Sequence, residues 1–272
     1  MAKITKPQAK KHGEAESLLS LSRTLTDDER DFIHDNWHPG AAHLTAVGGQ
    51  FFTPRSIASE LTVFSCRKGT IIDLAAGIGV LGWHIWRLWP RGENVRIIAV
   101  ELCPGFVEVG KRVFPEAEWI LGDVFDKSLW ESLGVVDGMV SNPPFGNVPM
   151  ANGNDKWLSY RGPAHLRACE LALRFSRTGG TFVLPSMDLP FEYSGKQHHE
   201  YKDSDRHSTN LKRFLATFPD ARLSCVGVDV SFYQGDWKEV SPNVEIADVE
   251  IEDGGLYDSG FGFGTPDVPS LL

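Results

Sequence analysis

The 272-residue chain predicts an α/β fold, a mostly parallel seven-stranded sheet with helices on both faces and an antiparallel hairpin at its C-terminal end. Three observations predict it. From Thr70 to Pro185, short runs of apolar residues alternate with helix-length segments, the rhythm of βαβ units. Gly77 and Gly79 fall between the first such run and the first such helix, where a parallel sheet needs a tight turn. In the last third the rhythm changes: 222–231 and 244–251 read as two long strands separated by a polar loop.

The elements follow in order. Residues 1–25 are polar and read as a disordered leader, basic but without the apolar core of a secretory signal. Thr26 or Asp27 caps a short helix reaching Trp37. "GGQFFTPRSIASELTVF" (48–64) opens as a glycine turn and becomes a helix after Pro54, with Thr53 suited to the N-cap and Pro54 to the first helical position. Strand 70–74 leads to helix 79–89, and strand 95–101 to helix 105–113. Strand 118–121, a short helix over 127–133 and strand 136–140 come next. Helix 163–176 stops at Gly179-Gly180, and strand 181–185 follows. One domain is expected over 26–252, and the Gly-rich, acidic stretch 253–272 reads as an extended tail.

Composition narrows the function classes. No apolar run approaches the ~20 residues of a membrane span, so no membrane association is expected. Cys66, Cys103, Cys169 and Cys225 are scattered without a C-x-x-C pair, which suits the reduced thiols of a cytoplasmic protein. No metal site is expected; His198, His199 and His207 match no standard ligand spacing. The net charge of −9 gives no global attraction to nucleic acid, so such a substrate needs a local basic patch. The strongest is the polar insertion 192–213, with Lys196, Lys202, Arg206, Lys212 and Arg213, read as a solvated loop.

Polar residues mark one end of the sheet. In "TIIDLAAGIGVLG" a strand ends at Asp73, and Gly77 and Gly79 precede a helix, allowing backbone to approach a ligand closely. The loop is not a Walker A motif, because no Gly-Lys-Ser/Thr follows. Glu101 ends the next strand 22 positions after Gly79, where a carboxylate commonly accepts from ribose hydroxyls. Asp123 ends the third strand and Asn142 follows the fourth. Ligands of open α/β sheets sit beyond these strand ends, so the series points to a nucleoside-containing cofactor.

The fourth strand stops at "SNPPFG" (141–146). Pro143 and Pro144 have no N–H, so strand pairing cannot continue. An exocyclic amine or amide nitrogen is a poor nucleophile because its lone pair is delocalised. Methylating it needs acceptors for both of its hydrogens. Asn142 offers a side-chain oxygen and Pro143 a conformationally fixed carbonyl. Phe145 offers a flat face for an extruded base. The polar stretch 146–163 then reads as a mobile loop over the target, with Lys156 and Arg161 for phosphates and Trp157 or Tyr160 for stacking.

The series Asp73, Gly77/Gly79, Glu101, Asp123 and Asn142 resembles the S-adenosylmethionine-dependent methyltransferases and their Rossmann-like fold. The resemblance implies S-adenosyl-L-methionine as cofactor. Its methionine part would face Asp73, Ala75 and the glycine loop, with its ribose on Glu101. Its adenine would lie by Asp123 and Val124 or Phe125. A nicotinamide dehydrogenase fits worse, since the loop "DLAAGIG" carries its acid at the end of the first strand. "NPPF" resembles the Asp/Asn/Ser-Pro-Pro-aromatic motif of amino-methyltransferases, which implies Asn142, Pro143, Pro144 and Phe145 as the catalytic turn. "GGQFFTPR" resembles a segment of DNA adenine-N6 methyltransferases, above all type I modification subunits, and implies Phe52, Thr53 and Pro54 as cofactor contacts. DNA is therefore the leading partner, with a specificity subunit or a second copy of the chain supplying sequence recognition. Two departures keep alternatives open. Modification subunits show Asp-Pro-x-x-Gly-x-Gly, whereas Leu74 and Ala75 follow Asp73 here, and "DLAAGIGVLG" is closer to RNA guanine methyltransferases. An RNA base, a protein glutamine, or a non-catalytic subunit of a modification complex remain alternatives.

Overall fold

The computed structural model of the chain describes residues 5–38, 51–88, 95–148, 156–238 and 241–252. The tail 253–272 and the start of "GGQFF" lie outside them. Strands β1 (Gly69–Leu74), β2 (Val95–Glu101), β3 (Glu118–Leu121), β4 (Gly138–Ser141), β5 (Gly180–Pro185), β8 (Ala221–Cys225) and β9 (Val244–Ile251) form one sheet in the order β3-β2-β1-β4-β5-β9-β8. Neighbours are parallel except at β9, which runs antiparallel to both β5 and β8. The expected fold class therefore holds. The chain leaves β1 in one direction to build β2 and β3, then returns to the other side of β1 for β4. A crevice opens at such a switch, beyond the strands' C-terminal ends.

Alternation along β1 decides which helix covers which face. Ile72 and Leu74 join one apolar cluster with Trp130, Phe182 and α7 (Ala164–Phe175). Ile71 joins the other with α3 (Arg55–Phe64) and α4 (Val80–Leu88), where Trp83 and Ile85 are fully buried. With both faces covered, the central strands are apolar throughout, as a parallel sheet requires. α5 (Pro104–Val113) packs beside β3, and α6 (Lys127–Leu133) leads into β4.

The leader expected to be disordered instead contains α1 (Lys6–Leu19), closed at its start by a Thr5/Gln8 capping box. Its apolar face is small, which hides it in the sequence. Ala15, Leu18 and Leu19 pack with Ile33 and Trp37 at α2 (Asp27–Asn36) and with Phe106 and Val113 of α5. Arg112 fixes the connection, donating to the carbonyls of Leu19 (3.0 Å), Leu21 (2.6 Å) and Arg23 (2.6 Å).

Two further expectations change. The strand expected over 222–231 ends at Cys225, and Asp229 caps a 3-10 helix over Val230–Asp236 by accepting from the Ser231 N–H at 2.9 Å. The insertion read as a solvated loop holds a two-stranded hairpin, β6 (Phe191–Glu192) with β7 (Glu200–Tyr201), and then the start of α8 (Thr209–Thr217). Two of its cations are engaged within the fold, while Arg206, Lys212 and Arg213 are exposed. Lys196 pairs with Glu192 and Glu200, and Lys202 donates to the Ser186 and Leu189 carbonyls.

Candidate functional site

The loop after β1 and the turn after β4 face each other across the switch point. Ala75 takes φ +54°, a left-handed conformation that side chains rarely adopt, and Gly77 (φ +60°) and Gly79 (φ +88°) continue the turn into α4. A side chain at Gly79 would strike Trp119, its Cβ lying 2.9 Å from the ring. A Cβ at Gly77 would lie in ordinary contact with the Phe52 ring at 3.4 Å, so there the positive φ, not space, favours glycine.

Two carboxylates support the loop from below. Asp73 Oδ2 accepts from the Gly82 N–H at 2.9 Å. Glu101 Oε2 accepts from the Gly77 N–H at 2.9 Å and Oε1 from the Cys103 N–H at 2.8 Å. Both acids are buried. Burial pushes the Asp73 carboxyl up to about 7, with the Glu101 charge adding to the shift and the Gly82 N–H opposing it. Burial raises Glu101 as well, against the pull of the Cys103 and Gly77 amides.

The extended residues 51–53 point alternately to two sides, as period-2 backbone dictates. Phe52 faces the glycine loop and packs edge-to-face on Phe106 at 5.2 Å. Phe51 and Thr53 face the turn after β4. The Asn142 Nδ2 donates to the Phe51 carbonyl at 2.7 Å and to Thr53 Oγ1 at 2.9 Å. A carbonyl can only accept, so these contacts set the amide's orientation. Asn142 Oδ1 lies on the other side, buried and without a hydrogen-bond partner. Among the described residues, nothing donates to the Pro143 carbonyl either. Thr53 is thus not the helix cap its sequence suggests. Pro54 takes the N-cap position without a side-chain bond, and the Thr53 hydroxyl serves Asn142 instead.

Phe145 is partly exposed between two rings, Phe51 at 5.4 Å and His165 at 6.0 Å, the second at 88°. One crevice collects eight of the expected residues: Phe52, Thr53, Asp73, Ala75, Gly77, Glu101, Asn142 and Pro144, joined by His34, Phe51 and Phe106. His34 and Phe106 carry no local motif and are brought in only by the packing of α2 and α5. A larger cavity of about 840 Å³ lies behind Pro54 and shares His34, but it holds none of the strand-end acids or the Asn142 turn. Its Arg55 and Arg87 are paired with Asp31.

Other expected residues fall outside the crevice lining. Gly79 turns into α4 beside Trp119, and Asp123 Oδ1 caps its own loop by accepting from the Phe125 N–H at 2.9 Å. Val124 and Phe125 are buried in the core, with the Arg167 guanidinium 4.9 Å from the Phe125 ring. The loop read as mobile is pinned over its described half. Glu170, fully buried, accepts from the N–H groups of Ser159 (2.7 Å) and Tyr160 (2.9 Å). The Trp157 indole donates to the Phe125 carbonyl at 2.9 Å, and Tyr160 is buried with its hydroxyl on the Asn210 carbonyl. The buried Tyr160 ring is no free stacking face, which corrects that expectation, while Trp157 stays partly exposed. Lys156 is exposed, and Arg161 donates back to the Lys156 carbonyl. Among the described residues no cluster of metal ligands occurs, and no helix is long and apolar enough to cross a membrane.

The sequence matches no protein-family model and no curated protein. Solved structures do resemble the fold. A protein of Listeria monocytogenes assigned as a class I S-adenosylmethionine-dependent methyltransferase superposes with a TM-score of 0.57 at 15% identity, over 92% of this chain and 83% of that one. The methyltransferase subunit of a type I restriction-modification system from Streptococcus thermophilus gives 0.53 at 14% identity, over 84% of this chain and 51% of that subunit. At these identities the likeness is one of fold: the chain has the Rossmann-like fold seen in these methyltransferases.

Proposed function

We propose that the protein transfers a methyl group from S-adenosyl-L-methionine to an exocyclic amino nitrogen, with adenine N6 in DNA as the leading substrate. The observation that carries this reading is the Asn142 amide, whose nitrogen is held by Phe51 and Thr53 while its oxygen is left without a partner. A buried unpaired acceptor costs about 1–3 kcal/mol, so its retention calls for a ligand that donates to it. An amine does so. Asn142 Oδ1 and the Pro143 carbonyl accept its two hydrogens, drawing the nitrogen toward tetrahedral geometry and freeing its lone pair. Phe145 supports the extruded ring.

The crevice suits the cofactor in its donor set: buried acids at the ends of β1 and β2, a glycine loop between them, and aromatic walls. When bound, S-adenosylmethionine supplies an electrophilic methyl on a sulfonium sulfur. Glu101 would accept from its ribose hydroxyls, and Ala75–Gly77 would line its methionine part. A cationic ligand favours the ionised form of Asp73. No side-chain nucleophile is needed, and catalysis rests on positioning and hydrogen bonding. DNA is preferred because the "FFT" segment, whose resemblance is to DNA adenine enzymes, is the element that orients Asn142.

The test is incubation with methyl-labelled cofactor and DNA, RNA or a protein extract, followed by nucleoside or amino-acid analysis. The expected product is N6-methyladenine in DNA. Label in an RNA base or a glutamine would keep the reaction and replace the substrate. Cofactor binding with label in none of the three would overturn the reaction itself.

A further inference from the structure

The proposed catalytic turn is clamped from a direction its motif does not reveal. Gly146 leaves the turn with φ +76° and is held on both sides by the first turn of α7. Its carbonyl accepts from the Ala164 N–H at 2.8 Å, and its N–H donates to His165 Nδ1 at 3.3 Å. An N–H can only donate, so Nδ1 carries no proton. The proton of the neutral ring is therefore on Nε2, which donates to Asp188 Oδ2 at 2.8 Å. Asp188 in turn is held through Oδ1 by the hydroxyl of Ser208, the N-cap of α8, at 2.6 Å. His165 and Asp188 are 2% and 3% exposed, which excludes both from exchanging protons freely with substrate or solvent. With both ring nitrogens engaged, His165 is no general base. Its ring also meets Phe145 edge-to-face.

We propose that His165, locked in its Nε2–H form by Asp188, is a positioning residue that fixes the Phe145–Gly146 peptide and with it the stacking face offered to the target base. This rests on the reading of the Asn142 turn given above. Asp188 alone would keep the proton on Nε2; what makes the ring a clamp is that the bare Nδ1 accepts from the Gly146 N–H, which a proton on Nδ1 would oppose. The chain of contacts ties three separate segments, α7, the 3-10 turn Ser186–Asp188 and the start of α8, to the residue next to the reacting amine.

The test compares wild type with Asp188→Asn, His165→Asn and His165→Ala. Asp188→Asn is nearly isosteric but weakens the hold on the Nε2 proton. His165→Asn retains an amide oxygen near the Nδ1 position. Methyl transfer to DNA is measured as kcat and KM, with cofactor Kd measured separately. The clamp predicts a fall in kcat/KM for DNA of about 10-fold or more in Asp188→Asn and His165→Ala, since loosened positioning near reacting atoms carries such costs. Cofactor Kd stays within about two-fold in each, and His165→Asn recovers part of the loss. Folded Asp188→Asn and His165→Ala proteins with wild-type kcat and KM would overturn the inference. Nitrogen-15 spectra of the His165 ring give an independent decision, supporting the clamp if Nδ1 is an unprotonated nitrogen that accepts a hydrogen bond and overturning it if Nδ1 is protonated or unbonded. If wild type itself transfers no label, the reading of the turn fails, while the ring spectrum still decides the clamp.

Discussion

Thr53 and Asn142 show how much of this site depends on single atoms. Thr53 Oγ1 accepts one of the two hydrogen bonds that orient the Asn142 amide. Thr53→Val removes it while keeping the side chain's shape, and leaves the Phe51 carbonyl as the sole restraint. kcat should fall by about 10-fold with little change in cofactor Kd, and Thr53→Ser should recover most of the activity. Asp73 makes a second residue-scale prediction. Its carboxyl sits at about 7 in the folded protein, above its usual 3.8, so the folded state holds a proton that the unfolded chain has released. That contribution to stability is complete below the unfolded pKa and is lost as pH rises toward 7. Urea unfolding from pH 4.5 to 7.5 should show wild type losing stability relative to Asp73→Asn across that window. Parallel curves would contradict the assignment. The motif residues were legible because each is a polar or glycine break at the end of an apolar run. The orientation of Asn142 was not, because it depends on Phe51 and Thr53, some ninety positions away.

At the level of elements, strands and helices from β1 to β5 were legible almost residue by residue, since buried parallel strands and amphipathic helices leave different apolar periods. The misreadings share a cause. α1 and α8 bury only narrow apolar stripes, and the strand expected to continue past Cys225 is stopped by a side-chain cap at Asp229. The pinning of 156–163 was equally hidden, because Glu170 reaches it from inside α7. Glu170→Ala would strip the Ser159 and Tyr160 amides of their acceptor and leave Arg174, now bonded to Glu170 at 2.8 Å, without it. Loss of such a buried charged partner typically costs about 3–5 kcal/mol. Denaturant unfolding should show that loss, and limited proteolysis should cut faster near 156–163. The loop after β1 makes the opposite prediction. Ala75→Gly relieves a left-handed alanine and should raise stability by about 1 kcal/mol, read as a higher unfolding midpoint.

For the whole molecule, the order β3-β2-β1-β4-β5-β9-β8 brings the ends of β1 and β4 together and makes separate motifs one site. The expected antiparallel end of the sheet is present and extends the scaffold on the β5 side. The glycine loop and the Asn142 turn meet at residues 51–53, with Phe52 on the first and Phe51 and Thr53 on the second. The central claim is that Asn142 Oδ1 accepts from the amine that is methylated. It is tested most directly by single-turnover methyl transfer with Asn142→Ala, at saturating cofactor and with cofactor Kd measured in parallel. The expected rate is lower by about 100-fold or more with cofactor affinity nearly unchanged, the signature of an interaction made in the transition state. A folded Asn142→Ala protein transferring methyl at the wild-type rate would contradict it.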